Sequence, residues 1–394
     1  MPKIVLGVAG GVAAYKSISL ARLLIESGHE VVVVPTPSAL NFVGKATWEA
    51  ITGKPVHANV FEATDQVAHV AIARWADLVV VAPTTADLMF RAAAGAANDM
   101  LTAVLLTTTA PIIYFPAMHT EMWLNPATTA NVATLRDRGA LVINPATGPL
   151  ARGDQGLGRL PEPDQMSALI ASFLAKPNLV KDFAGKHALV TLGGTSESID
   201  PVRLITNRSS GEMGAAICRA LYLRGAEVTA IVGNHSAVLP HDIAIRSITS
   251  ATELAAAATS LSPTQDLIIM AAAVSDFTLS PAAGKLTREG SRTLALEPTE
   301  DILAKIVTRK KPDQFIVGFA AQTEDLLAAA KEKLERKKCD LIVANLVGNE
   351  LGFGPVSTEI QVVSKQGVVA SGQVNKDEAA HLILDEIAKN STPS

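Results

Sequence analysis

Short, uniformly apolar segments, alternating with helical stretches and repeating in two successive rounds, set the limits on what this chain can fold into. Residues 4–8, 31–34, 78–81, 112–115 and 141–143 are rich in Val, Ile and Leu and show no in/out alternation. A strand with one wet face alternates, whereas a strand covered on both faces is apolar throughout. Helical stretches lie between most of them, so the pattern predicts βαβ units and a parallel sheet. After a helical stretch at 166–174, residues 175–186 (AKPNLVKDFAGK) have no period and read as a linker. The layout then begins again. Strands are expected at 188–192, 227–232, 267–272, 314–318, 341–344 and 359–363, with helices at 214–224 and 376–389. The fold class is therefore α/β, as two doubly wound, mostly parallel-sheet (Rossmann-like) domains. The expected domains are 1–175 and 187–394, joined by a linker at 176–186.

Size agrees, because 394 residues exceed what one core usually serves. A net charge of −4 gives no basic excess for nucleic acid or an anionic membrane. Cys218 and Cys339 are too few for a disulfide framework or a zinc site and fit a reducing compartment. His235 and His241 are scattered, without metal-ligand spacing. The first residues lack the length and cleavage pattern of a signal peptide, and no apolar run reaches about 18 residues. The expectation is a cytoplasmic enzyme that neither spans a membrane nor binds nucleic acid.

Gly10-Gly11 and Gly193-Gly194 each follow a first strand. Glycine there lets backbone N–H groups approach a phosphate, although the same pair serves equally as a tight turn. Neither loop has the GxGxxG spacing, neither second strand ends in an acidic ribose ligand, and no GxxxxGK[ST] occurs. A dinucleotide oxidoreductase is disfavoured. A mononucleotide or nucleoside triphosphate held another way fits better.

The densest polar cluster is 193–214, GGTSESIDPVRLITNRSSGEMG. A long surface loop is its plain reading, but Ser209, Ser210, Gly211 and Gly214 ahead of a helix suit an anion cradle. GGT, IDPVR, ITN and SSGxMG in this order resemble the phosphopantothenate–cysteine ligase family in its CTP-using bacterial form. AAAVSD at 271–276, GKL at 284–286, TEDIL at 299–303, VGFAA at 317–321 and KCDLIVAN at 338–345 extend the resemblance over about 186–390. It implies attack of the 4′-phosphopantothenate carboxylate on the α-phosphate of CTP, release of pyrophosphate, and capture of the acyl-cytidylate by the amine of L-cysteine. By that resemblance Asn207 holds the activated acyl group and Lys285 stabilises the phosphates or transition state. Asp276 binds nucleotide or Mg²⁺, Gly211 and Gly214 frame the triphosphate, and Phe319, Lys337 and Asn345 lie near the nucleotide. Taken alone, Lys285 reads as a solvated side chain and Asn207 as a turn residue or cap. The chain departs from the family in having one lysine in KLTR at 285–288, Glu212 where lysine is common, and no Asp or Asn in GFGPVST at 352–358.

The first half carries GVAGGVAAYKS at 7–17, HVAIARWAD at 69–77, APTTAD at 82–87 and PAMHTEMW at 116–123. Over about 1–170 this resembles the homo-oligomeric flavin-containing cysteine decarboxylases, which precede the ligase in the fused bacterial enzyme. The resemblance implies FMN near Gly10, Gly11 and Ser38, with further contacts at Thr84, Thr85 and Thr102, and FMN-dependent decarboxylation of 4′-phosphopantothenoylcysteine to 4′-phosphopantetheine. His69 would be the base or positioner at the thiol, since imidazole titrates near neutrality; alone, it reads as a structural histidine. Met118 and His119, the latter where the family has Asn, are substrate contacts. In LARGDQGLGR at 150–159, Arg152 stands where a cysteine is usual, with Asp154 a candidate acid. The resemblance also implies a higher homo-oligomer, such as a dodecamer. The alternative is an active ligase whose flavin domain serves oligomerisation or regulation.

Overall fold

The computed structural model describes residues 1–60, 67–150, 153–288, 290, 293–322, 326–346 and 358–391. Two compact units form, Met1–Ile170 and Ala171–Ser394.

In the first unit β1 (Lys3–Val8), α1 (Ala14–Glu26), β2 (Glu30–Pro35), α2 (Lys45–Thr52), α3 (Ala68–Trp75), β3 (Leu78–Thr84), α4 (Ala86–Ala94), α5 (Met100–Thr107), β4 (Ile112–Pro116), α6 (Thr120–Trp123), α7 (Pro126–Asp137) and β5 (Leu141–Val142) follow in order. All strand pairs of the sheet β2-β1-β3-β4-β5 are parallel. Every residue of β3 is buried, which is why its sequence shows no alternation. Local chemistry sets the helix ends. Thr85 caps α4 and Gly95, at φ 73°, ends it. Asp99 and Thr102 form a reciprocal capping box on α5. A hairpin of β6 (Ala146–Pro149) and β7 (Gln155–Arg159) precedes α8 (Pro163–Ala175). No strand signal is legible there in the sequence, because Gly148, Gly156 and Gly158 dilute any period.

The second unit runs β8 (His187–Leu192), β9 (Ser196–Ser198), β10 (Leu204–Thr206), α9 (Glu212–Leu223), β11 (Glu227–Val232), β12 (Ala244–Ser247), α10 (Ala251–Leu261), β13 (Leu267–Met270), β14 (Phe277–Thr278), β15 (Glu297–Pro298), α11 (Ile302–Thr308), β16 (Phe315–Gln322), α12 (Leu326–Lys337), β17 (Leu341–Leu346), β18 (Thr358–Ser364), β19 (Gly367–Val374) and α13 (Lys376–Ser391). Its sheet has the order β12-β11-β8-β13-β16-β17-β18-β19, parallel except for the last two pairs. One core cluster joins α9 and α13 to one face through Ile217, Leu221, Ile383 and Leu384. Leu254, Ile306, Ala330 and Leu334 cover the other face.

Three expectations shift. β13 stops at Met270 rather than 272, because its pairing with β16 ends at Met270–Gly318, although Ala271 and Ala273 still donate to Thr191 O and Gly193 O at the end of β8. α9 starts at Glu212 rather than 214, because Gly211 at φ 77° is its N-cap. The segment read as a linker packs within the second unit: Phe183 is buried, Arg224 lies 4.9 Å over its ring and binds Asp182, and Lys176 pairs with Asp385 at 2.6 Å.

Candidate functional site

Each unit has a cavity where its strand order reverses, beyond the carboxyl ends of the strands, the usual position for a ligand in open α/β sheets.

In the second unit the reversal lies between β8 and β13. Gly193, at φ 79°, turns the chain out of β8 so tightly that a Cβ would sit 2.6 Å from the Asn234 carbonyl. Gly194 exchanges backbone hydrogen bonds with Asn234, and Thr195 N–H donates to Ala273 O, so the two strand exits are locked together. A cavity of about 310 Å³ follows. Asn207, Gly211, Gly214, Asp276, Phe319 and Asn345 all line it, although they come from four separate stretches of sequence. The Asn207 amide donates to Val274 O at 2.9 Å. Gly214 approaches β8 so closely that a Cβ would stand 2.4 Å from Leu192 Cβ. The α9 N-terminus therefore meets the cavity with its N–H groups and positive dipole end, an arrangement suited to an anion.

Two expected residues lie elsewhere. Lys285 is exposed on a loop outside the cavity, and Lys337 pairs with Asp301. Burial pushes the Lys337 ammonium below the ordinary lysine range, while Asp276 and Cys339 pull it back up. The sequence reading missed Lys333 and Lys376, which do line the cavity. Lys333 donates to Phe319 O at 2.6 Å, and burial, with Arg336, lowers its pKa against the pull of Cys339 and Asp276. Burial likewise lowers Lys376, opposed by Glu212. The signal available for Lys333 was its place one helical turn before Lys337 on α12. Lys376 had none. Among the described residues no group of three or more His, Cys, Asp or Glu could hold a metal by itself. Asp276 would hold a divalent ion only together with oxygens of a bound triphosphate.

In the first unit the reversal lies between β1 and β3. A Cβ on Gly10 would stand 2.3 Å from Ser38 Oγ, and one on Gly11 would be 3.8 Å from Thr85 Cγ2. The glycine loop thus abuts both the loop after β2 and the end of β3. This close cradle of backbone N–H groups and the Ser38 and Thr85 hydroxyls fits a phosphate. A cavity of about 410 Å³ is lined by Gly11, Tyr15, Lys16, Met118, His119 and Arg159, among others. Lys16 is committed within it, donating to Leu160 O and to Glu162. Burial would raise the Glu162 carboxyl, but Lys16 and Arg159 outweigh it and hold it low. His119 Nδ1 lies 3.8 Å from Asp154 Oδ2.

The other expected residues stand apart from that cavity. The Thr84 hydroxyl donates to Val81 O, and the Thr102 hydroxyl is engaged in the Asp99 capping box. His69, the second residue of α3, has its Nδ1 buried and without a hydrogen-bond partner among the described residues. Arg152 lies outside the described residues, as do residues 352–357. No helix among the described residues is long and apolar enough to cross a membrane.

Comparison with known proteins follows the same division. Residues 1–175 match the flavoprotein family, and residues 183–391 match the DNA/pantothenate metabolism flavoprotein C-terminal domain. The coenzyme A biosynthesis bifunctional protein CoaBC of Mycolicibacterium smegmatis is 47% identical, with 98% of this chain and 97% of that protein covered. The protein of the same name from Mycobacterium tuberculosis is 46% identical, with 98% and 96% covered. That from Vibrio vulnificus is 40% identical, with 98% and 97% covered.

Proposed function

The chain belongs to the family of bifunctional coenzyme A biosynthesis proteins, which carry a flavoprotein decarboxylase half and a ligase half, and from that premise we propose the particular reactions of each cavity. The ligase half, residues 187–394, joins L-cysteine to 4′-phosphopantothenate with CTP and Mg²⁺. The flavoprotein half, residues 1–175, decarboxylates the product to 4′-phosphopantetheine with FMN. The observation that supports this reading best is the gathering of six motif residues, from Asn207 to Asn345, around one cavity in the ligase unit.

In ligation the carboxylate is a poor electrophile until an anionic leaving group is attached. Attack on the α-phosphate of CTP gives an acyl-cytidylate and pyrophosphate, and the cysteine amine then displaces cytidylate. The α9 N-terminus and the cavity lysines oppose the growing phosphate charge, and Asn207 donates to the acyl oxygen. In the other half, bound FMN supplies two-electron oxidation of the thiol-bearing carbon, which makes loss of CO₂ possible, and returns the electrons afterwards. Gly10, Gly11, Ser38 and Thr85 hold its phosphate, His119 and Met118 position the substrate, and His69 handles the thiol proton. His69 and Lys285 both lie outside the cavities of their own units, which is consistent with a homo-oligomer that brings them to neighbouring sites. We place the enzyme in the cytoplasm.

The test supplies purified protein with phosphopantothenate, cysteine, CTP and Mg²⁺ and follows products by mass. Phosphopantetheine with CO₂ is expected. Accumulated phosphopantothenoylcysteine would make the flavin half a binding module, and the absence of any CTP-dependent product would refute the ligase reading. Lys285→Gln is expected to stop ligation and keep flavin bound.

A further inference from the structure

The loop carrying Lys285 is tied down by hydrogen bonds to residues far away in sequence. Thr278 Oγ1 donates to Glu197 Oε2 at 2.9 Å, and Ala282 N–H donates to Ile199 O at 2.9 Å. The last tie is the most specific. Leu286 N–H, the amide that follows Lys285, donates to Asp200 Oδ2 at 3.1 Å. Leu286 O accepts from the Arg203 guanidinium at 3.0 Å. Both backbone groups of Leu286 are therefore held by one four-residue turn.

The Asp200 side chain is fully shielded from solvent. A carboxylate in that position needs most of its acceptor sites filled. Its two oxygens divide the work. Oδ1 accepts from Val202 N–H and Arg203 N–H, both at 2.8 Å, and closes the turn on itself. Oδ2 faces Leu286 N–H and the Arg203 guanidinium, the latter 3.5 Å away. A turn needs only the first oxygen. The second oxygen spends its contacts on the neighbour of Lys285. The same hairpin continues through β10 into Asn207, so one rigid piece of backbone sets both the cavity amide and the root of the lysine loop.

We infer that Asp200, with Arg203 as its second prong, is a positioning residue for ligation that fixes the backbone immediately after Lys285. This rests on the proposed role of Lys285 in that reaction.

Asp200→Asn separates the two functions. The amide oxygen still closes the turn, but the NH₂ group now confronts Leu286 N–H, donor against donor. In the full-length enzyme, trypsin cleavage between Lys285 and Leu286 is expected to accelerate at least about tenfold, and Leu286 amide exchange with it. The ligation kcat is expected to fall about 10- to 100-fold, with KM for CTP changed less than about twofold. Arg203→Lys leaves the turn intact and is expected to reproduce the faster cleavage and slower ligation in weaker form, so a poorly folding Asp200→Asn does not decide the matter. Wild-type cleavage and ligation in both turn variants, while Lys285→Gln is inactive, would overturn the inference alone. Wild-type ligation by Lys285→Gln would overturn the role of the lysine and the inference with it. Faster ligation by Asp200→Asn would mean that the turn restrains the loop instead of positioning it.

Discussion

Gly214→Ala puts a methyl group where the fold has no room. The new Cβ would stand 2.4 Å from Leu192 Cβ, 3.3 Å from Leu192 Cα and 3.4 Å from Thr191 O. Carbon–carbon contact is comfortable near 3.5–4.0 Å, so α9 must lift from β8 by roughly 1 Å. None of the three atoms is the far end of a flexible side chain, so the strain cannot be absorbed by a rotamer change. Overpacking of this kind costs about 1–3 kcal/mol, and the rigid neighbours place it near the top of that range. Better helix propensity returns at most about 1 kcal/mol, and less in the first turn. The net cost is about 2 kcal/mol, which lowers the melting temperature of a unit this size by roughly 4–8 °C. The displaced α9 N-terminus also lines the cavity, and a shift of roughly 1 Å there costs ligation on the order of 100-fold. The assay is thermal unfolding with ligation kinetics, and Gly372→Ala is the control. Its Cβ would meet only Val374 Cγ1, at 3.5 Å. A Gly214→Ala protein that melts and ligates like wild type would refute the packing argument.

In the first unit, Gly10→Ala drives a Cβ to 2.3 Å from Ser38 Oγ and 2.9 Å from the Ser38 carbonyl carbon, whereas Gly11→Ala meets only Thr85 Cγ2 at 3.8 Å. Gly10→Ala is expected to lose about 1–3 kcal/mol and its flavin, and Gly11→Ala to fold normally, as read by melting and flavin-to-protein ratio. Arg224→Met leaves Asp182 and Asp385 without the guanidinium that lies between them, 2.9 Å from Asp385 Oδ1. The carboxylates are part-exposed, so the loss is at the lower end for a broken buried pair, about 3 kcal/mol, measured as a fall in the second unit's melting temperature. The His381 pKa is lowered from 6.5, first by burial and then by Arg224, with Lys176 adding to this and the Ser172 carbonyl and Asp377 opposing it. The unfolded chain takes the proton first, so this contribution to stability is complete above pH 6.5 and is lost as pH falls through the lower folded value. His381→Asn is expected to flatten the dependence of melting temperature on pH below 6.5; an unchanged slope would assign it to another group.

How much was legible depended on whether a residue's burial is written in its own neighbourhood. The inner strands were, because a strand covered on both faces is apolar almost throughout, as β3 and β8 are apart from Thr84, His187 and Thr191. The sheet edges were not. β12 is exposed throughout and β19 alternates weakly, so neither stands out from loop. The short pairs β6–β7 and β9–β10 hold too few residues for any period to register. The cavity followed the same logic. Asn207, Gly211, Gly214 and Asp276 sit just past strand ends, where topology requires a ligand site, so motif and fold agree on them. Phe319 and Asn345 lie on β16 and β17 beside the same opening. Lys333 and Lys376 sit on helices, where a lysine ordinarily faces water. Lys376 is the first residue of α13, far from every motif and at the positive end of a helix dipole, which disfavours a cation. Only packing of α13 against α9 brings it to 8% exposure beside Glu212. The charge that a motif places at residue 212 therefore has to be read together with residue 376.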